Sequence, residues 1–289
     1  MSDGKVKAKE PSPAAGIITF VIFFLIFTQW ERLAALWNTM AEWLASRGIT
    51  PGLALAGKAV VFIALPAALF LAWVKSAIMK AFPEKVTFTE ASPDEYPAFD
   101  HEAFERYTEA FESLGFKRLI DYHSPEMEMQ GIKGIGRLFS HDRQFIFAEC
   151  NQNFPPGRNP TEVKCVLVSF MTDGFSFSTT DRKPDGVTYA MRRPRSLWVS
   201  LPPASPGELF NAHLERRNAL EKELKARLLR ESSAQGFFEH EKKEHLLRKE
   251  ALGKRNIVAI LYDIIVTGSN PPFEWMGEYG GRLQDRSKS

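Results

Sequence analysis

The stretch "FFEHEKKEHLL", residues 237–247, sets two histidines among glutamates, the residue types from which a helix can build a hydrolytic zinc site. Such sites need imidazoles four residues apart, so that both rings leave one helix face and share an ion. His240 and His245 are five apart. At about 100° per residue the rings diverge by roughly 140° around a helix, and one ion cannot hold both. The stretch lies in a charged run from Asn211 to Arg255. It reads as a solvated helix face with pairs such as Glu239–Lys243 and Glu244–Arg248. No metal and no cofactor is expected.

The remaining chemical candidates are weaker. "GIKGIGRLF", residues 131–139, spaces its glycines G-x-x-G-x-G, which is neither the dinucleotide fingerprint nor a phosphate loop. Strands flank it, so it reads as a glycine-bent turn or bulge. Ser140-His141-Asp142 spells three triad residues, yet triads assemble in space and adjacent side chains diverge. His123 falls in a loop with no nucleophile beside it. Two cysteines are too few for a disulfide framework, and Cys165, among Val163, Val166 and Leu167, reads as a buried inert thiol. No residue is assigned a catalytic role.

Two stretches point to binding. "MRRPRSLW" concentrates Arg192, Arg193 and Arg195, with Arg182 and Lys183 nearby, a candidate contact for phosphate-bearing headgroups or other anions. Residues 86–289 carry 28 basic against 30 acidic side chains, without the basic excess that nucleic-acid binding calls for. From Glu84 to Glu128 there are 12 acidic and 4 basic residues, and these acids could pair with the arginines inside the chain. The tail "NPPFEWMGEYGGRL" holds Phe273, Trp275, Met276 and Tyr279, all costly to leave in water. They clamp onto this chain's own domain or anchor a partner.

The elements that must position these groups fall into two halves. The chain has 289 residues, 44% hydrophobic, with a net charge of +2, and its long apolar runs lie within residues 14–82. After a tail over 1–13, residues 14–30 carry no charge, and residues 53–74 are broken only by Lys58. Both are long enough to span a bilayer with anchored ends. A second apolar run and the lack of a cleavage site argue against a signal peptide. Between them, residues 31–47 place Leu33, Leu36, Trp37, Met40, Trp43 and Leu44 at three- and four-residue spacing, an amphipathic helix stopped by Gly48. Trp30, Trp37 and Trp43 suit the membrane interface. Lysines outside both spans put the two termini on the cytoplasmic side of an integral membrane protein.

Prolines mark 83–100 as a linker, followed by an α+β domain over 101–270 and an aromatic tail over 271–289. A helix is expected over His101–Leu114, then five or six strands with short joins, hence an antiparallel sheet. Ser205-Pro206-Gly207-Glu208 opens a long helix with a capping box. A second helix covers about 237–252, and a short apolar element follows over Asn256–Thr267. The expected function is a membrane-anchored accessory protein that displays this domain to another protein or to a second copy, without catalysis. The alternative is a membrane-tethered domain that senses a small molecule between sheet and helices. An enzyme using scattered residues such as His123 and His141 is the third reading.

Overall fold

A computed structural model describes residues 35, 38, 39, 42, 43, 46–48, 64–82, 84–124 and 132–277. The chain divides into two compact units, Met1–Leu71 and Ala72–Ser289. Of the first unit only scattered positions are described; there Trp43 is exposed, with the Arg47 guanidinium 5.2 Å from its ring centroid. Among the described residues no helix is long and apolar enough to cross a membrane. The span expected at 14–30, and that at 53–74 up to residue 63, lie outside them, as do Trp30 and Trp37.

The second unit is an α+β domain. In chain order its elements are α1 (Leu65–Ala81, shared with the first unit), α2 (His101–Ser113), β1 (Lys117–His123), β2 (Lys133–His141), β3 (Ile146–Phe154), β4 (Lys164–Phe170) and β5 (Ser176–Thr180). Then come α3 (Gly186–Ala190), β6 (Ser196–Ser200), α4 (Pro206–Leu224), α5 (Ala234–Lys254), α6 (Ile257–Ile265) and β7 (Glu274–Trp275). Local chemistry starts the helices where the sequence indicated. Ser205 accepts from the Glu208 backbone N–H while the Glu208 carboxylate accepts from the Ser205 N–H at 2.7 Å. Asp100, Ser233 and Asn256 cap α2, α5 and α6 in the same way.

All seven strands join one sheet in the order β1 to β7. The expectation of five or six antiparallel strands needs correction in two places. The β5–β6 pair is parallel, with Ser178 opposite Trp198 and Thr180 opposite Ser200. Parallel neighbours need a crossover, and residues 181–195 supply it, carrying α3. The seventh strand comes from the tail, where Trp275 pairs with Trp198 and Met276 is buried. The aromatic residues there are an edge strand of the domain.

Helices α2 and α4 cover one sheet face. Phe104, Phe111, Ile135, Phe139, Ala148, Leu167 and Leu209 form the main core beneath them, and Phe177, Leu197, Val199 and Leu220 continue it. The opposite face carries a smaller cluster, Tyr122, Leu138, Phe147 and Phe170 against Phe237 of α5. Coverage on both sides explains why β2 is buried at seven successive positions and lacks polar alternation. Gly134 and Gly136 make a strand interior, not the expected turn: a Cβ at Gly136 would lie 3.0 Å from the Tyr122 ring and 3.2 Å from the Glu149 carboxylate. The stretch read as a linker also packs. Ala91, Tyr96 and Phe99 are buried in the main core, and Glu90 bridges to Tyr122. Pro93 and Pro97 shape turns, and the apolar residues around them do the anchoring.

Candidate functional site

Toward β6, the second face of the sheet is open enough to leave a groove of about 290 Å³. Its floor consists of alternate residues that the register brings to one side, among them Asn151, Val166, Ser178, Thr180, Trp198 and Ser200. The crossover forms one wall through Arg182, Lys183, Asp185, Thr188, Met191 and Arg192. Glu241, His245 and Arg248, at i, i+4 and i+7 on α5, form the roof.

The helix that suggested zinc chemistry therefore serves the site as a lid. Its two histidines part company: the His240 ring stacks on Phe170 at 4.4 Å, and His245 lies 6.1 Å from Phe82 at the roof. Among the described residues no three His, Cys, Asp or Glu side chains are grouped to hold a metal. The helix is also less solvated than its charge suggested, because Glu244 and His245 are buried. Glu239 pairs with Lys242 at 2.9 Å, one residue nearer than the expected Lys243, and Glu244 pairs with Arg193 in place of the expected Arg248.

The three candidate arginines each have a partner, though not in the Glu84–Glu128 region. Arg192 bonds Asp263 of α6 and lies 3.9 Å over the Tyr189 ring. Burial works to raise the Asp263 carboxyl, but hydrogen bonds from Arg192 and Arg255 outweigh it and hold the group below its usual range. Arg193 and Glu244 form an ion pair in which both side chains are 8% exposed. Arg195 donates to the Asp173 carbonyl, with Phe175 5.3 Å away. Only Arg192 reaches the groove. The indole N–H of Trp275 donates to the Arg193 carbonyl at 2.9 Å, which ties the tail to the same loop, and Phe273 stays 47% exposed. Tyr279 lies outside the described residues.

Arg182 is the residue that sequence reasoning passed over. Its backbone N–H donates to Thr180 Oγ1 at 3.1 Å, and its carbonyl accepts from Ser200 Oγ. The floor thus holds the residue from both sides. Its guanidinium Nε and Nη2 are buried without a hydrogen-bond partner among the described residues. The signal in the sequence was a cation directly after a strand, in "TTDRKPDG", and it was read only as a neighbour of the arginine cluster.

Two constellations look chemical and lie elsewhere. Ser169 Oγ sits 2.9 Å from His213 Nε2, and Thr179 Oγ1 is 3.0 Å from His213 Nδ1. All three residues are at most 1% exposed under α4, on the sheet face away from the groove. Burial, with Arg217 nearby, pushes the imidazole down to about 3 and keeps it neutral. No substrate can reach this serine, so the network fixes α4 on the sheet. Cys150 and Cys165 face each other in register as free, fully buried thiols, and burial pushes the Cys150 thiol up. Beside them the Asp181 carboxylate, raised by burial, accepts from Tyr107 Oη and the Cys165 N–H. His123 hydrogen-bonds Tyr96 Oη at 2.6 Å, and His141 stacks on Phe210 at 5.6 Å; both are held by the fold.

No protein family matches this chain, and no curated protein or solved structure is similar to it.

Proposed function

We propose that this chain is a membrane-tethered, non-catalytic binding protein whose domain holds a small polar molecule in the groove between sheet and α5. One observation carries the reading: a cavity of about 290 Å³ is floored in part by hydroxyl and amide side chains from β3, β5 and β6 and flanked by charges. Ligand sites combine a formed concavity with a few convergent polar groups, and this one has both. The tether is inferred from the uncharged run 14–30 and the run 53–74, with lysines outside each placing both termini in the cytoplasm. The test is a thermal-shift screen of the purified chain in mild detergent against a metabolite library. Ser178→Phe fills the groove from its floor and abolishes any stabilisation found. A ligand that stabilises both proteins equally sinks the reading, because it binds elsewhere.

A second reading, an accessory subunit that docks a protein partner or a second copy, draws on α6. Val258, Tyr262, Ile265 and Val266 are 57, 59, 69 and 49% exposed, an apolar face on a short helix. Affinity purification from detergent-solubilised membranes tests it. A stoichiometric companion that is lost on Ile265→Ser favours docking, and a solitary monomer leaves the groove as the function.

A further inference from the structure

We infer that the groove takes an oxyanion-bearing molecule, a carboxylate or a phosphate, and that Arg182 grips it edge-on through Nε and Nη2. The inference rests on the groove being a binding site, and adds what class of ligand it selects. Nε and Nη2 form the side edge of a guanidinium, two parallel donors whose spacing matches two oxygens of one anion. Both are withdrawn from water and have no acceptor among the described residues. A buried donor on a cation weakens the folded state unless something accepts from it, so the chain carries this arginine at a cost in stability.

No carboxylate among the described residues hydrogen-bonds these two donors, although Asp181 lies close enough to feel the Arg182 charge. Arg192 is taken up by Asp263, and Arg248 faces Glu241 at 4.0 Å. Of the carboxylates along the wall and floor, Asp185 is occupied capping α3 through the Thr188 N–H at 2.6 Å, and Glu149 accepts from Asn151 at 3.0 Å. The Arg182 backbone is held at both ends. Thr180 Oγ1 donates to the Cys165 carbonyl while accepting from the Arg182 N–H, and the Ser200 hydroxyl donates to the Arg182 carbonyl. Around it, the hydroxyls of Ser178 and Thr180 and the Asn151 amide suit a hydroxylated or otherwise polar body attached to the anion.

The test uses the full chain in mild detergent with three probes at millimolar concentration: inorganic phosphate, malonate and glucose, with sodium chloride at matched ionic strength. Phosphate or malonate is expected to raise the melting temperature and to give a saturable isotherm; which of them does so separates the two anion sources. Arg182→Gln and Arg182→Lys should each weaken that binding by about tenfold or more. Lysine keeps the charge and loses the fork, so its failure to rescue is the specific signature. Without probe, both variants should melt at or above the wild-type temperature, since the lost side chain has no partner in the fold, and this separates lost binding from lost folding. Equal binding by the lysine variant overturns the bidentate grip. Stabilisation by glucose alone overturns the oxyanion assignment and leaves the groove a binding site. Silence with all three probes overturns the assignment too; if the metabolite screen is also silent, the groove reading falls with it.

Discussion

Acid should unfold this domain in large part through one side chain. His213 is fully buried between Ser169 and Thr179, and its folded-state pKa is about 3. An unfolded histidine titrates near 6.5, so between those values the unfolded chain binds a proton that the folded one refuses. Stability therefore falls as pH falls, by about 1.4 kcal/mol per pH unit, and levels off below the folded pKa. From about pH 6.5 to 4.5 the loss is roughly 2 kcal/mol, a sizeable part of the about 5–15 kcal/mol that a domain commonly possesses. His141 and His240, lowered mainly by their own burial, act in the same direction, whereas the raised Asp181 gives stability back on acidification. A variant must isolate the main contributor. His213→Gln can satisfy only one of the two hydroxyls and should be about 1–3 kcal/mol less stable at neutral pH. It carries no titrating proton, so the gap to wild type should close by about 1.4 kcal/mol per unit below pH 6. Urea unfolding of the compact unit from Ala72 onward, at several pH values and followed by tryptophan fluorescence, gives both curves. Parallel curves would refute the reasoning, because they would mean that His213 charges in the folded domain or does not titrate on unfolding.

Other substitutions test the surrounding frame. Glu244→Ala strands the buried Arg193 charge and should cost about 3–5 kcal/mol, whereas Arg193→Met with Glu244→Leu should recover most of it; denaturant titration of the three proteins decides. Gly186→Ala drives a Cβ to 2.5 Å from the Ile264 carbonyl, where only backbone could yield, and should cost about 1–3 kcal/mol in the same assay. Gly207→Ala meets nothing within 4 Å in the first turn of α4 and should be neutral or stabilising by up to about 1 kcal/mol. Ile265→Ser should change stability by less than about 0.5 kcal/mol, because the side chain is exposed, and sedimentation then reports whether α6 mediates association.

What the sequence made legible was local. The capping box at Ser205 and the helix from His101 follow from residue types within a few positions of one another. What it hid depends on partners far along the chain. The parallel β5–β6 pair was missed because α3 is five residues long and leaves no periodic trace. Acids near the N-terminus of the domain offered themselves to Arg192 and Arg193, and acids from α6 and α5 took them instead. Arg182 stood in plain view, and only the fold reveals that its Nε and Nη2 are buried with no hydrogen-bond partner among the described residues.

The strand order has a consequence in time. Because the sheet uses its strands in the order of the chain, from β1 to β6 each one emerges during synthesis beside a neighbour that has already left the ribosome. The sheet can grow by addition, without waiting for a distant segment. The groove has no such early start, since α5 supplies its roof and begins only at Ala234. A nascent chain halted near residue 230 would own most of its sheet and no roofed groove. Such a chain would present Phe147 and Phe170 to the chaperones until α5 covers them.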